Sequence, residues 1–527
     1  MRFLIAMTLC LLPLYALAVE APAFDWQGRD WEPENWRINT DGTGEIQNEE
    51  QVVVNPLDPD NVVACWRDFR LGYRRVGVGY SFDGGLSWTD YLVDEENYPW
   101  HSDPGLTVDR FGNFYLVILS YVDTSNPNGL YVLKSTDGGM SWSEPVEVIN
   151  QVPNVFEDKE LIACDRSMGP HDGNLYVAWT RFSWTTEILC ARSLDLEDGF
   201  EDPVEVSDAN GVQWPVPCVG EDGTLYVGWV QYSPARIRLD RSFDGGETFG
   251  SDLTISSIYS ASATLNGNLK SYSYPALDCD LSDGPYRGRL YAAYMDRVGG
   301  QRDVFLRYSD DRGTSWSYPL RVNDDSPGNN RDQFHPWLCV SPDGVVSIVF
   351  YDRRHDPSNL LMDLYLAQSH DGGNTIEPNL RVSTVSSDPT ASRAGLIGEY
   401  IGLAASSGER IHPVWTDTRH GDQDVFTASI TLGETAVTDF PLENALRLSR
   451  NPFPESTTFL LNLDHVAEVE LSIYDPAGRR ITRLVRGTLL PGLREIPWDA
   501  GDLPSGLYLY RLRLGERQCS GKLLKLR

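Results

Sequence analysis

Acidic and guanidinium side chains recur at one place in this chain, just after an aromatic residue that closes an apolar stretch. They are Arg67, Asp68 and Arg70 in Trp66-Arg-Asp-Phe-Arg70, then Asp123, Arg181, Asp296 with Arg297, Asp352 with Arg353 and Arg354, and Asp417 with Arg419. A second set precedes the apolar stretches: Glu49, Glu50, His101, Asp103, Asp158, Lys159, Asp332, Gln333, His335, Glu399 and Tyr400. A planar guanidinium suits two-point recognition of a carboxylate, and a carboxylate beside it can transfer protons. The pattern [W/Y]-x-D-x-R also has a plain structural reading, in which each Asp–Arg pair is a salt bridge between neighbouring repeat units. Other chemistries have less behind them. The chain has no Gly-rich phosphate loop, no G-x-S-x-G and no H-E-x-x-H, and its 8 His show no metal-ligand spacing. No cofactor is expected. Asp58-Pro-Asp60 and Asp422-Gln-Asp424 are candidates for a structural calcium ion, with polar turns as the alternative.

What positions these residues is a second repeat. Ser81-Phe-Asp83-Gly-Gly85-Leu-Ser87-Trp88 returns as Ser135 to Trp142, Ser242 to Phe249, Ser309 to Trp316 and Ser369 to Ile376. A degenerate sixth copy begins at Ser193-Leu-Asp195. In each copy the carboxylate of Asp83, Asp137, Asp244, Asp311 or Asp371 can accept backbone N–H bonds and hold a tight turn. The glycine permits positive φ, and the last residue fills apolar space where the next strand starts. These aspartates are structural.

The aromatics Trp66, Tyr121, Trp179, Trp229, Tyr294, Tyr351 and Trp415 lie 50 to 65 residues apart, each ending the second strand of a four-strand unit. Seven such units predict an all-β propeller of seven blades over residues 45–432, with six as the alternative. The seventh unit lacks a fourth strand of its own, and the Trp-rich lead-in 19–44 is expected to supply it and close the ring. Antiparallel strands put the Asp-bearing turns on one rim. The charged sets described above then share the opposite rim, around the axis.

The five turns are Asp boxes, and residues 45 to 430 resemble the sialidase (neuraminidase) superfamily of BNR-repeat propellers. The resemblance implies glycoside hydrolysis of an extracellular glycan, by a tyrosine nucleophile, an aspartate acid/base and three arginines that grip the substrate carboxylate. Carried onto this sequence, Asp103 is the acid/base, Tyr400 the nucleophile and Glu50 its activating carboxylate. Arg67, Arg297, Arg353 and Arg419 are the arginine candidates, with His335 and Asp68 also toward substrate. Asp boxes also occur in propellers that are not sialidases, so a non-catalytic module binding a glycan or surface protein, or a surface scaffold, stands as the alternative.

The first 18 residues, Met1-Arg2 followed by an apolar run and Ala16-Leu-Ala18, have the form of a secretory signal peptide, so the chain is expected to be secreted or held at the cell surface. The net charge of −32 disfavours nucleic acid, and no membrane insertion is expected. Cys164, Cys218, Cys279 and Cys339 share one repeat position and are read as buried hydrophobes. After a linker at 433–445, residues 446–527 turn basic and alternate as strands do. Through Asn451-Pro-Phe453, Ile473-Tyr-Asp475, Ala477-Gly-Arg479 and Pro504-Ser-Gly506 they resemble immunoglobulin-like modules related to flagellar-hook-capping and type IX secretion sorting domains. That resemblance implies an outer-surface sorting or anchoring role, with the secretion machinery as partner.

Overall fold

The structure, a computed structural model, describes residues 33–94, 97–122, 128–391, 396–407, 410–431, 446–463, 467–475, 479–489, 492–501, 503–514 and 517–526. The signal-peptide segment, the 433–445 linker and Asp123 lie outside them. The chain divides into two units, Met1–Leu432 and Gly433–Arg527.

In the first unit the described residues form seven antiparallel sheets of at least four strands and one extra two-stranded hairpin. Blade 1 shows the plan, with strands Gln47–Asn55, Asp58–Asp68, Arg75–Ser81 and Thr89–Leu92 in order from the inside. The innermost strands of successive blades pack side by side, and that of blade 7 (Gly402–Ser406) packs on that of blade 1. The wheel is therefore closed. Blade 7 is completed by Trp36–Arg37, which pairs with Asp424–Thr427 as the outermost strand. Closure spares the chain two unpaired sheet edges.

The blades cohere because their strands are apolar on both faces. Trp66, Trp179, Trp229 and Trp415, each two or three residues short of the end of a second strand, are fully buried in the seams. The six described cysteine thiols are free and buried. Each Asp box closes the same way: Asp83 accepts bonds from Ser81 Oγ (2.8 Å), Ser87 N (2.9 Å) and Ser87 Oγ (2.5 Å). The boxes at Asp137, Asp244, Asp311 and Asp371 repeat this set. At the degenerate copy Asp195 instead caps a short 3-10 turn, Leu196–Asp198, by accepting from Glu197 N. In register, Ser81 faces Val62 near the start of the second strand, whereas Gln47 and Arg75 both face Asp68 at its end. Asp boxes and the charged sets thus occupy opposite rims.

The second unit has a three-stranded and a four-stranded antiparallel sheet. They share one core, in which Phe459, Leu461 and Trp498 of the first sheet meet Val469, Ile473 and Leu512 of the second.

Candidate functional site

At the upper end of six blades, and just before the innermost strand of blade 7, one residue per blade meets the others at the axis. These seven are Glu49, Asp103, Lys159, Trp214, Tyr274, His335 and Glu399. Five of them have left-handed backbone: Glu49 (φ 63°), Asp103 (48°), Lys159 (61°), Trp214 (66°) and His335 (48°). In each of those five blades the first strand breaks register there as a β-bulge. A bulge inserts a residue and re-aims its side chain. Left-handed backbone costs a non-glycine residue roughly 1–2 kcal/mol, so five repetitions mark a position whose side chains are needed where they are.

The ring divides into an ionic and an aromatic half. Carboxylate oxygens of Glu49, Asp103 and Glu399 lie within 4.8 Å of one another, a spacing that suits a cation. The cation present is the Lys159 ammonium, 2.5 Å from Asp103 Oδ2 and 2.6 Å from Glu399 Oε2. Arg67 pairs with Glu49 at 3.0 Å and donates to Asn48 Oδ1. On the other side the Lys159 ammonium lies 4.7 Å from the Trp214 ring, Trp214 stacks on Tyr274 at 5.3 Å, and Tyr274 lies 6.4 Å from His335. The Tyr274 hydroxyl donates to the Glu399 carbonyl at 2.5 Å.

Burial sets the protonation of this floor. It opposes the charge on Asp103, but Lys159 and Arg67 outweigh it and hold that carboxyl well below its usual range. Burial drives Glu49 and Glu160 well above theirs, although Arg67 pulls Glu49 back. Among the described residues neither Glu160 oxygen has a hydrogen-bond partner. Asp158, beside the ring, is pushed up to about 7 by burial. His335 is fully buried with both ring nitrogens unbonded, and burial presses it down to about 3, so its imidazole is neutral.

Half-buried Trp100, Phe156 and Tyr272 lie on this rim, with Tyr121 buried between the first two. Trp100 meets Tyr121 edge-on at 5.7 Å, and Tyr121 meets Phe156 likewise at 5.8 Å. The Arg74 guanidinium lies over Trp100, Tyr121 and Phe69. Tyr272 packs on Trp214 at 5.1 Å. Trp184, in the turn between Leu175–Phe182 and Thr186–Ser193, is wholly exposed on the same rim.

The structure gathers only some of the residues expected to form a sialidase site. Asp103 and His335 belong to the ring, and Arg67 pairs with its Glu49. Arg297, Arg353 and Arg419 do not join Arg67, and no two of the four share a partner. Arg297 is exposed over the Tyr259 ring. Arg353 is fully buried and donates to the carbonyls of Asn359 (2.9 Å) and Asn266 (3.2 Å). Arg419 is held by Asp417 at 2.7 Å. Tyr400 is buried, its hydroxyl donates to Pro104 O (3.3 Å), and burial holds its pKa well above the usual tyrosine value. Glu50 faces Thr416, whose hydroxyl it accepts at 2.6 Å, rather than Tyr400.

Three of the repeated Asp–Arg pairs close within their own loops, while Arg354 also reaches Asp324 (2.5 Å) in the connection between blades 5 and 6. Asp68 takes Arg70 (2.7 Å) and Trp66 Nε1 (2.7 Å), and Asp352 takes Arg354 (2.8 Å). Asp417 likewise takes Arg419 and Trp415 Nε1. Asp68 is thus a loop clasp, and Arg70 extends it to Asp90 at 2.7 Å. The expected calcium candidates have turn and ion-pair roles: Asp60 pairs with Arg410, and Asp424 accepts from Asn39 and Arg37.

Trp214, Tyr274 and the bulge itself escaped sequence reasoning. A signal was present: four ring residues precede proline, at Pro104, Pro215, Pro275 and Pro336.

No protein-family model matches the chain, and no curated protein matches it. Solved structures similar to it include a leech intramolecular trans-sialidase complexed with 2,7-anhydro-Neu5Ac (13% identity, 68% of this chain and 70% of that one, TM-score 0.46). Another is the Hadza microbial sialidase Hz136 (15%, 70% and 74%, 0.43). A third is an α-L-arabinanase of Penicillium chrysogenum complexed with arabinobiose (14%, 76% and 98%, 0.42).

Proposed function

We propose that this chain is a carbohydrate-binding propeller of the cell exterior, that its upper rim holds the ligand, and that it does not cleave sialosides. One observation carries the reading: on the rim that holds the ionic floor, Trp100, Phe156 and Tyr272 keep part of their rings accessible, and Trp184 is wholly exposed. Such rings offer flat apolar surface at little entropic cost. The candidate nucleophile Tyr400 is buried and hydrogen-bonded, and the arginines serve four separate partners. A sialidase needs three of them on one carboxylate.

A second reading rests on Asp158 and Asp103. Environments that push two carboxyls apart, one up to about 7 and one well down, mark a potential acid and its counterpart. In that reading the propeller hydrolyses a neutral glycoside. The C-terminal unit is proposed as the immunoglobulin-like sorting or anchoring module, delivering the propeller to the outer surface through the secretion machinery.

The test is a glycan array probed with the purified mature chain and with Trp184→Ala and Trp100→Ala. Retention of glycan by the parent, weakened about tenfold in the variants, is expected. A folded parent that retains nothing overturns the binding reading. Fluorogenic sialoside, arabinofuranoside and glucoside are assayed alongside. Release that Asp158→Asn abolishes would replace it with the hydrolase.

A further inference from the structure

Between blades 5 and 6 lies a cleft of about 370 Å³, away from the seven-residue ring. That is within the range of small-molecule pockets, about 300–1,000 Å³. Its outer wall is the hairpin Ser262–Leu265 and Leu269–Tyr272, the one sheet outside the seven blades among the described residues of the propeller unit. The hairpin is fixed to blade 6, since Asn266 Nδ2 donates to Ser358 O at 2.9 Å.

Three guanidiniums serve this cleft, and none is within ion-pair distance of a carboxylate among the described residues. Arg302 lines it and is buried; its guanidinium reaches only the carbonyls of Ser260 (3.4 Å) and Ser262 (3.1 Å). Arg353, also buried, backs the wall through the carbonyls of Asn266 and Asn359, and its Nε has no partner. Arg297 lines the open side and stacks on Tyr259, whose ring is 71% exposed. Two acids lie near: Asp332 accepts from Arg302 N (2.9 Å) and Asn359 Nδ2 (2.7 Å), and Asp296 accepts from the backbone N–H groups of Tyr259 (2.8 Å) and Arg297 (2.7 Å).

Among the described residues, the other buried arginines of this propeller each have an acid: Arg67 has Glu49, Arg289 has Asp310 at 2.7 Å, and Arg381 has Asp363 at 2.7 Å. Burying an unpaired charge is costly, and burial lowers both Arg302 and Arg353, the latter to about 10. An arriving oxyanion would supply the missing charge, and a guanidinium fork would orient it. The Tyr259 ring beside Arg297 offers a flat apolar face for the body that carries the anion.

We infer that this cleft is an off-axis site for the carboxylate or sulfate of an acidic sugar residue, gripped by Arg297 and Arg302. The inference rests on the carbohydrate-binding reading and adds a ligand class to it.

The experiment is calorimetric titration of the mature chain with trigalacturonate and, separately, with inorganic sulfate. The parent is expected to bind at least one of them, and sulfate to displace a bound uronate. Arg297→Glu lies on an exposed side chain, so the fold should tolerate it, and it should weaken binding about tenfold or more. Arg110→Gln, on the Asp-box rim, should leave binding unchanged. Binding of trigalacturonate alone assigns the carboxylate, binding of sulfate alone assigns the sulfate ester, and displacement of one by the other assigns a site that takes either. Absence of binding by both probes, or binding that Arg297→Glu leaves intact, overturns the site. Retention of neutral glycans on the array without uronate or sulfate binding overturns this site alone. Uronate binding that Arg297→Glu abolishes, in a protein blank on the neutral array, keeps this site and overturns the aromatic rim.

Discussion

At the scale of single residues, the axial floor concentrates more carboxyl groups than its cations neutralise, and protons make up the difference. Glu50 is the clearest case for measurement. It is fully buried, and burial raises it to about 8 despite the Thr416 hydroxyl bonded to it. The unfolded chain releases that proton near 4.5, so between about 4.5 and 8 the folded state holds a proton that the unfolded state has lost. Stability therefore falls as pH rises through this window. The contribution is intact below 4.5 and is lost by about 8, on the order of a few kcal/mol. Glu50→Gln keeps an oxygen for Thr416 and removes the titration. In urea unfolding it should match the parent at pH 4.5 and exceed it at pH 8. Parallel pH profiles for the two proteins would show that Glu50 does not titrate between folded and unfolded states. Lys159 acts oppositely, supplying the charge that keeps Asp103 ionised inside the ring.

At the scale of elements, the Asp boxes and second-strand aromatics were legible because each is a local device. A Ser-x-Asp-x-Gly turn needs only its own eight residues, and a tryptophan near the end of a strand needs only a neighbouring blade. The axial ring was not, because it depends on backbone. Glu49 and Glu50 are chain neighbours with the same side chain, yet the bulge sends one to the axis and the other to Thr416 in blade 7. The Asp–Arg pairs were legible as pairs but not in their pairing; Arg70 folds back on Asp68 because the turn is tight. The short strand Trp36–Arg37 makes a further claim at this scale. Its attachment is extended by Asn39, nearly fully buried, which accepts from Val425 N (2.9 Å) and donates to Asp424 Oδ1 (2.9 Å). Asn39→Ala leaves both groups buried without this partner and should cost about 1–3 kcal/mol. Asp137→Ala, in an exposed turn on the far rim, should cost less, since its serines and backbone N–H groups can turn to water. Equal shifts in the urea midpoint would mean that the closing strand adds no more than a surface turn does.

At the scale of the whole molecule, each unit completes its own core. The cluster built on Phe459, Trp498 and Leu512 draws only on residues after the division, and the propeller clusters draw only on residues before it. The candidate site lies wholly within the first unit, since its ring and its rim come from residues 49 to 400. Neither stability nor binding of the propeller should then need the C-terminal residues. A chain ending at Leu432 should unfold within about 1–2 °C of the propeller transition of the full chain, a shift equivalent to about 1–2 kcal/mol for a unit of this size. It should also retain the same glycans on the array. Calorimetry of the full chain should resolve two transitions, one of which is absent from the shortened protein. A single cooperative transition that moves down by many degrees on truncation would mean that the two units stabilise each other. The C-terminal unit would then be part of the binding protein's fold rather than an appended address.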